Sequence, residues 1–313
     1  MRVIIKDCAE DAAEHAAHYI TDRINAFRPT AEKPFVLALS TGTTMIPVYA
    51  ELIRLHEAGE ISFKHIVTFN VDEFVGLSES HVESYHSFMW THLFKHLDIT
   101  PENVYILDGN ARDLDEQCKQ FEETIARFGG IELCLGGIAQ DGHFGFNEPG
   151  SSLSSRTRVK TLAHHTIVEN TARFGGDYAD VPKQALTMGV GTVLESREVI
   201  IVICGESKAL ALQKCLEEAV NHMWTVSCLQ HHARAVIVCD DDATVELKVK
   251  TVRYFKGMQL TMRTLIHDDD TDGHHHAGER ARSKRERSAE EQGSSSASTP
   301  AQQSSKRPRK LKR

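Results

Sequence analysis

Short apolar runs rich in valine and isoleucine alternate along this chain with longer segments in which apolar residues recur every three to four positions. Short apolar runs are typical of strands buried on both faces of a parallel sheet, and the longer period is typical of amphipathic helices. The alternation therefore predicts βα units around a mostly parallel sheet. The predicted strands are "FVLAL" (35–39), "IVTFN" (66–70), "VYIL" (104–107), "IELCL" (131–135), "VIIVIC" (199–204) and "AVIVC" (235–239).

The clearest helical periods lie before the first of these strands and between the third and the fourth. For the second helix we expect Asp113 as the N-cap and Gly129-Gly130 as the stop. The apolar positions that define the two helices are Ala13, Ala17, Ile20, Ile24 and Phe27 in one, and Leu114, Cys118, Phe121, Ile125 and Phe128 in the other.

The composition changes at His267. Residues 267–313 are charged, serine-rich and nearly free of large apolar side chains, so they cannot bury enough surface to offset the entropy of ordering. We therefore expect a single domain over residues 1–266 and a disordered tail over residues 267–313. The end of the tail, "KRPRKLKR", leaves two interpretations open, a nuclear-localisation or anion-binding patch and a solvated tail without such a function. No defined metal site is expected in "HDDDTDGHHH".

Charge and cysteine usage narrow the class of protein. The tail carries 11 of the 36 basic and 8 of the 44 acidic residues, which leaves residues 1–266 with 25 basic against 36 acidic side chains. Such a domain is not expected to bind nucleic acid. The seven cysteines contain no CxxC pair, which favours reduced thiols. The N-terminal segment "MRVIIKDCAEDAAEH" has charged residues where a signal peptide would need an apolar core. No apolar run is long enough to span a membrane. We expect a soluble, cytoplasmic protein.

Four unusual loops follow predicted strands, where ligands bind in open parallel sheets. "STGTT" (40–44) and "GESK" (205–208) each precede a helical segment, so their backbone N–H groups and Lys208 could hold an anion such as a phosphate monoester. The alternatives are an ordinary tight turn and a solvated lysine. "STGTT" lacks the GK[ST] of a nucleotide P-loop, and "GVGT" (189–192) lacks the third glycine of a dinucleotide fingerprint.

The other two loops carry titratable side chains. In "VDEF" (71–74), Asp72 or Glu73 should face the cleft, although an acid at a strand end is equally often a helix cap. In "GGIAQDGHFGFNEPG" (136–150), His143 lies between two acids and could carry protons in both directions, or it could merely satisfy loop carbonyls. No HExxH or cysteine spacing predicts zinc. An anion site beside a proton carrier suggests an aldose–ketose or related reaction on a sugar phosphate.

The run "DGHFGFNEP" (141–149) resembles the signature of the isomerising glucosamine-6-phosphate deaminases. Further similar segments follow in family order: "FKHIVTFNVDEFVGL" (63–77), "SLSSRTRVKTL" (152–162), "ALTMGVGTVL" (185–194), "ESKALAL" (206–212), "NHMWTVSCLQ" (221–230) and "ELKVKTVRYF" (246–255). The related 6-phosphogluconolactonases would show "DGHTASLFP" instead. The resemblance implies a Rossmann-like α/β fold with helices on both faces of the sheet. It also implies conversion of glucosamine 6-phosphate and water into fructose 6-phosphate and ammonium, without metal or cofactor.

The resemblance further implies residue roles. His143 would open the sugar ring with the support of Asp141 and Glu148, and Asp72 would remove the C2 proton. Phosphate would be bound by Thr41, Gly42, Thr43, Thr44, Arg173 and Lys208. A second, allosteric site for N-acetylglucosamine 6-phosphate in a homohexamer would use Ser151, Arg158, Lys160, Thr161 and Tyr254. The alternative is a catalytically reduced homologue that senses sugar phosphates.

Six positions depart from the family pattern, and we expect them to alter substrate affinity rather than reaction type. They are Thr43, Met45, Ala139, Gln140, Phe144 and Gly145.

Overall fold

The computed structural model describes residues 1–262, 264 and 265. The chain divides into one compact unit over Met1–Lys256 and a second unit that begins at Gly257. In the second unit, residues 257–262, 264 and 265 are helical. The domain boundary at residue 266 stays a prediction, and the expectations for residues 267–313 lie outside the described residues.

Ten strands and seven α-helices make up the first unit, with a further helical stretch over residues 249–256. The strands are β1 (Arg2–Lys6), β2 (Phe35–Leu39), β3 (Ile66–Asn70), β4 (Asp72–Phe74), β5 (Val104–Tyr105), β6 (Leu133–Gly137), β7 (Arg158–Thr161), β8 (Gln184–Thr187), β9 (Glu198–Ile203) and β10 (Ala235–Asp240). The helices are α1 (Ala9–Phe27), α2 (Met45–Glu57), α3 (Tyr85–His92), α4 (Leu114–Arg127), α5 (His164–Asn170), α6 (Val190–Leu194) and α7 (Ala209–Leu216).

Seven strands form one sheet in the order β1-β10-β9-β6-β2-β3-β5, and every neighbouring pair is parallel. This confirms the predicted Rossmann-like α/β class. The runs at 35–39 and 66–70 form strands with the predicted bounds. The run at 104–107 pairs over only two residues because β5 is the edge strand, and the strand predicted at 131–135 begins two residues later.

The core lies on both faces of this sheet, because successive residues of a strand point to opposite sides. On β2, Val36 and Ala38 pack with α4 and α7, whereas Leu37 and Leu39 pack with α1 and α2. The burial pattern explains why these strands read as continuous apolar runs. The cap of α4 is also as predicted, since Asp113 accepts a hydrogen bond from the backbone N–H of Glu116.

A second sheet of three short antiparallel strands, in the order β4-β8-β7, was not predicted. Its strands are three or four residues long and include charged segments such as "DEF" and "RVKT", which give no apolar run. A separate apolar cluster that includes Phe74, Tyr85, Phe146 and Phe174 is packed against this part of the chain. The register of the small sheet places Asp72 opposite Thr187, beside the carboxyl end of β3.

Candidate active site

The carboxyl ends of β2 and β6 mark the place where the order of the large sheet reverses. From β2 the chain proceeds to β3 and β5 on one side, whereas β6, β9 and β10 follow on the other. A crevice forms at such a point because the loops on either side leave in opposite directions. The four loops that the sequence indicated follow β2, β3, β6 and β9, so they lie along the same edge of the sheet.

Asp72 and Glu73 begin β4 and have different roles because adjacent strand residues point to opposite faces. The carboxylate of Glu73 accepts hydrogen bonds from the backbone N–H groups of Phe74, Tyr85 and His86. Glu73 therefore satisfies the first turn of α3, where backbone donors have no partner within the helix. The helix-cap interpretation of the acidic pair therefore fits Glu73, and Asp72 stays the acid that we predict to face the crevice.

The carboxyl group of Asp72 is buried, and its Oδ1 has no hydrogen-bond partner among the described residues. Burial, followed by the neighbouring charge of Glu73, raises the pKa of Asp72 to about 8, although the charge of Arg173 opposes this rise. A carboxyl group whose pKa lies near neutrality is suited to accept a proton from carbon and to return it later.

His143 and Asp141 form a close pair in the loop after β6. Nδ1 of His143 lies 2.7 Å from Oδ1 of Asp141, and the histidine side chain is only 9% exposed. Partial burial alone would raise the pKa of Asp141, but its contacts with His143 lower that pKa to about 2. An ionised carboxylate at this distance fixes the orientation of the imidazole, as in other sites where a histidine carries protons.

Glu148, the third residue of the predicted trio, makes its hydrogen bonds elsewhere. Its carboxylate accepts from the backbone N–H of Ala163, at 2.9 and 3.1 Å, and from the hydroxyl of Thr166, at 2.5 Å. These contacts hold the start of α5. The predicted support of His143 by Glu148 is thus not a direct hydrogen bond among the described residues, and it stays a prediction.

The loop that carries His143 packs directly against Asp72. Gly145 has φ +56°, and a Cβ built there would lie 3.4 Å from Oδ2 of Asp72 and 2.8 Å from Oγ1 of Thr187. Phe144 is buried in the core beside this position. Phe144 and Gly145, two of the four departures from the family pattern in this loop, therefore lie where the loop of His143 contacts Asp72.

The predicted phosphate-binding residues fall into two groups. Next to Asp72, the side chains of Thr41 and Arg173 both lie within hydrogen-bonding reach of the Tyr85 side chain. Arg173 also donates Nε to Glu83, at 2.9 Å.

Beside Asp141, the ammonium group of Lys208 interacts with the charges of Asp141 and Glu169, and burial lowers its pKa. Thr43 is exposed in the turn before α2, and Gly42 has φ +114°. The first residue of α2, Met45, is fully buried beneath this turn.

The residues predicted for a second site lie mostly on β7 and the loop before it. Ser151 is buried, and its Oγ has no hydrogen-bond partner among the described residues. Arg158 donates to Oδ1 of Asn147, at 3.0 Å, and Lys160 and Thr161 follow it on β7. Tyr254 is 62% exposed.

One group of described residues could hold a metal ion. Glu14, His18 and Glu51 present their ligand atoms close together on α1 and α2, but Arg54 already pairs with the carboxylate of Glu51. This group lies away from Asp72 and His143, on two helices rather than on the loops of the crevice. Among the described residues, no helix is both long and apolar enough to cross a membrane.

Residues 7–238 match the family described as "Glucosamine-6-phosphate isomerases/6-phosphogluconolactonase". The chain belongs to this family. A glucosamine-6-phosphate deaminase of Glaesserella parasuis serovar 5 (strain SH0165) is 58% identical over 259 residues, which are 83% of this chain and 98% of the relative. Glucosamine-6-phosphate deaminase 1 of Bos taurus is 58% identical over 266 residues, which are 85% of this chain and 92% of the relative.

Among solved structures, a monomeric glucosamine-6-phosphate deaminase superposes with a TM-score of 0.73 at 38% sequence identity. The superposition covers 78% of this chain and 98% of that protein. The family and fold implied by the sequence resemblance are therefore confirmed.

Three side chains of the site were not predicted from the sequence. Tyr85 lies between Thr41 and Arg173, Thr187 faces the loop of His143, and Nε2 of His165 lies 3.2 Å from Oδ2 of Asp141. Tyr85 and Thr187 lie in elements that gave no strand or loop signal. His165 lies in "HHT", where neither histidine is distinguished by its spacing.

Proposed function

We infer that this chain converts glucosamine 6-phosphate and water into fructose 6-phosphate and ammonium, as the names of its relatives indicate. The observation that carries the proposal is the separation of two proton-handling groups on adjacent loops. Asp72 is buried with a raised pKa, whereas His143 is paired with an ionised Asp141. A reaction that opens a sugar ring and then enolises the product needs two such groups.

The proposed sequence begins with His143. The imidazole takes the proton of the anomeric hydroxyl and returns it to the ring oxygen, which breaks the bond between C1 and that oxygen. Asp72 then removes the proton from C2, and the electron pair forms a double bond between C1 and C2. The C1 oxygen takes a proton from the C2 ammonium group, which gives a neutral enolamine. Protonation at C1 produces an imine at C2, and water adds to the imine and expels ammonium. No step requires an oxidant, a metal or an organic cofactor.

For the phosphate group, we propose the turn at residues 41–44 together with Lys208 and Arg173. The turn precedes α2, but the backbone N–H groups of Met45 and Ile46 already donate to the carbonyls of Gly42 and Thr43. The donors proposed for the phosphate are therefore the hydroxyls and backbone N–H groups of the turn itself. Lys208 lies on the side of Asp141, and Arg173 on the side of Asp72. The positive groups would therefore lie on both sides of the proton-handling groups.

The test is to incubate the purified protein with glucosamine 6-phosphate and to measure ammonium and fructose 6-phosphate over many turnovers. A parallel incubation with 6-phosphogluconolactone tests the other activity in the family's description. We expect the two products in equal amounts from the first substrate and no hydrolysis of the second above the spontaneous rate. Binding of glucosamine 6-phosphate without any product would instead favour the sensor hypothesis.

We also propose a homohexamer that is activated by N-acetylglucosamine 6-phosphate at the site of Ser151, Arg158, Lys160, Thr161 and Tyr254. The physical support is proximity along the chain. Ser151 donates its backbone N–H to the carbonyl of Glu148, and β7 leads into Ala163, which binds the carboxylate of the same glutamate. A ligand that moves β7 would therefore act on the start of α5.

Light scattering and steady-state kinetics test this part of the proposal. A hexamer of 35.0 kDa chains has a mass of about 210 kDa. We expect Lys160→Ala to abolish activation by N-acetylglucosamine 6-phosphate, and Lys119→Ala, on the exposed face of α4, to leave it intact. A monomeric mass, or unchanged activation of Lys160→Ala, would contradict the proposal.

We place the activity in the cytoplasm.

A further inference from the structure

Asp141 is contacted by two histidines, one on each carboxylate oxygen. Nδ1 of His143 lies 2.7 Å from Oδ1, and Nε2 of His165 lies 3.2 Å from Oδ2. The reaction uses His143, but nothing in the proposed sequence of steps uses His165. A second histidine on the same carboxylate therefore needs an explanation of its own.

The stability of the fold does not supply that explanation. The side chain of His165 is 51% exposed, and that of Asp141 is 28% exposed. Ion pairs exposed to this extent contribute little to folding because water screens the charges and the side chains lose freedom. The contact instead restrains the orientation of Asp141, since a carboxylate held on both oxygens does not rotate freely about its Cβ–Cγ bond.

The position of His165 is itself fixed by the loop of the active site. His165 is the second residue of α5, and the start of α5 is bound through Ala163 and Thr166 to the carboxylate of Glu148. The seven-residue helix is therefore attached at two points to one loop, through Glu148 and through Asp141. This arrangement connects all three members of the predicted trio through α5, although no direct hydrogen bond joins Glu148 to His143 among the described residues.

The charges around the contact are consistent with an orienting role. Asp141 faces His143, His165 and Lys208, and Lys208 also faces Glu169, which lies one turn after His165 on α5. Oδ1 of Asp141 also accepts the backbone N–H of His143, at 3.3 Å. Without a partner on Oδ2, only the contacts on Oδ1 would oppose a turn of the carboxylate towards Lys208 and away from Nδ1 of His143.

We propose that His165 is a positioning residue for ring opening. By holding Oδ2 of Asp141, it keeps Oδ1 on Nδ1 of His143, so that the imidazole presents its other nitrogen, Nε2, as the one that exchanges protons with the sugar. His165 does not contact the reacting atoms in this account. The proposal rests on the deaminase activity proposed above.

The test compares His165→Ala, His165→Gln and His164→Ala with the wild-type chain. The amide of glutamine can donate to Oδ2 in place of Nε2, so His165→Gln is the conservative variant. His164→Ala is the matched control, because His164 is the exposed neighbour on α5 and contacts the ring of Tyr178 rather than Asp141. The measurements are kcat and KM for glucosamine 6-phosphate and the Kd of its acyclic amino-alditol 6-phosphate, which needs no ring opening.

For His165→Ala we expect kcat to fall about tenfold, because a misplaced proton carrier loses rate rather than affinity. The KM and the Kd of the acyclic compound should stay within about twofold, as expected for a residue that does not bind the ligand. His165→Gln should recover most of the lost kcat, and His164→Ala should match the wild type.

Three results would overturn the proposal. They are an unchanged kcat in His165→Ala, a loss of affinity for the acyclic compound that parallels the loss of kcat, and a glutamine variant as defective as the alanine variant. Absence of ammonium release from the wild-type chain would instead refute the proposed function, so the two failures are distinguishable.

Discussion

Replacement of Asp72 by asparagine should stabilise the protein while it removes the proposed catalytic base. The carboxyl group is buried, its Oδ1 lacks a hydrogen-bond partner among the described residues, and its pKa is raised from 3.8 to about 8. Between those two values the unfolded chain has released a proton that the folded chain still holds. The wild-type free energy of unfolding therefore decreases as the pH rises through this range, and the asparagine variant lacks this decrease.

The magnitude follows from linkage between protonation and folding. One retained proton lowers the free energy of unfolding by about 1.4 kcal/mol for each pH unit. From the unfolded value of the Asp72 pKa to pH 7, the accumulated loss is about 4 kcal/mol. We therefore expect the advantage of Asp72→Asn over the wild type to be near zero at pH 4 and to grow towards this value by pH 7.

Urea unfolding at several pH values between 4 and 8, followed by circular dichroism, measures this advantage directly. Asp180→Asn is a suitable control because the carboxyl group of Asp180 is exposed, and its substitution should give a difference that does not grow with pH. An advantage of Asp72→Asn that is constant across the pH range, or a destabilised variant at pH 7, would refute the reasoning about burial.

Four further predictions concern turnover and the loop of His143. His143→Gln should slow turnover of the natural anomeric mixture, measured as ammonium release, because ring opening loses its proton carrier; an unchanged rate would remove the role of His143. The kcat/KM should rise with pH up to about 8, since the free enzyme must deprotonate Asp72; a pH profile that is flat between 6 and 8 would contradict this. Gly145→Ala should lower the free energy of unfolding by about 1 kcal/mol, measured in urea, because φ is +56° and the added methyl group meets Thr187. Deletion of residues 267–313 should leave kcat and KM unchanged, and a large loss of activity would place the tail in the folded unit.

The parallel sheet could be predicted from the sequence because strands buried on both faces are continuous runs of apolar residues. The run at 35–39 is apolar throughout since alternate residues pack with α2 and with α4. The small antiparallel sheet gave no such signal, because strands such as β7 are only partly buried and tolerate charged residues. Short strands of this kind depend on the packing around them rather than on their own pattern.

The candidate proton-handling residues could be proposed for a similar reason, since loops after parallel strands converge at one edge of the sheet. The residue pattern alone did not decide which acid of the pair at 72 and 73 would face the crevice, and only the family resemblance indicated Asp72. Which acid faces the crevice depends on the direction of β4 and on the position of α3, whose first backbone N–H groups donate to the carboxylate of Glu73. The contact between His165 and Asp141 also depends on the tertiary packing of α5, which no local pattern encodes.

The central claim is that Asp72 is the base of an amino-sugar phosphate deaminase. The most direct measurement compares the wild type with Asp72→Asn, for ammonium and fructose 6-phosphate formation from glucosamine 6-phosphate and for affinity towards the acyclic amino-alditol 6-phosphate. We predict equal amounts of the two products from the wild type, turnover at least about 100-fold lower in the variant, and similar affinity in both. Turnover by Asp72→Asn near the wild-type rate would contradict the claim.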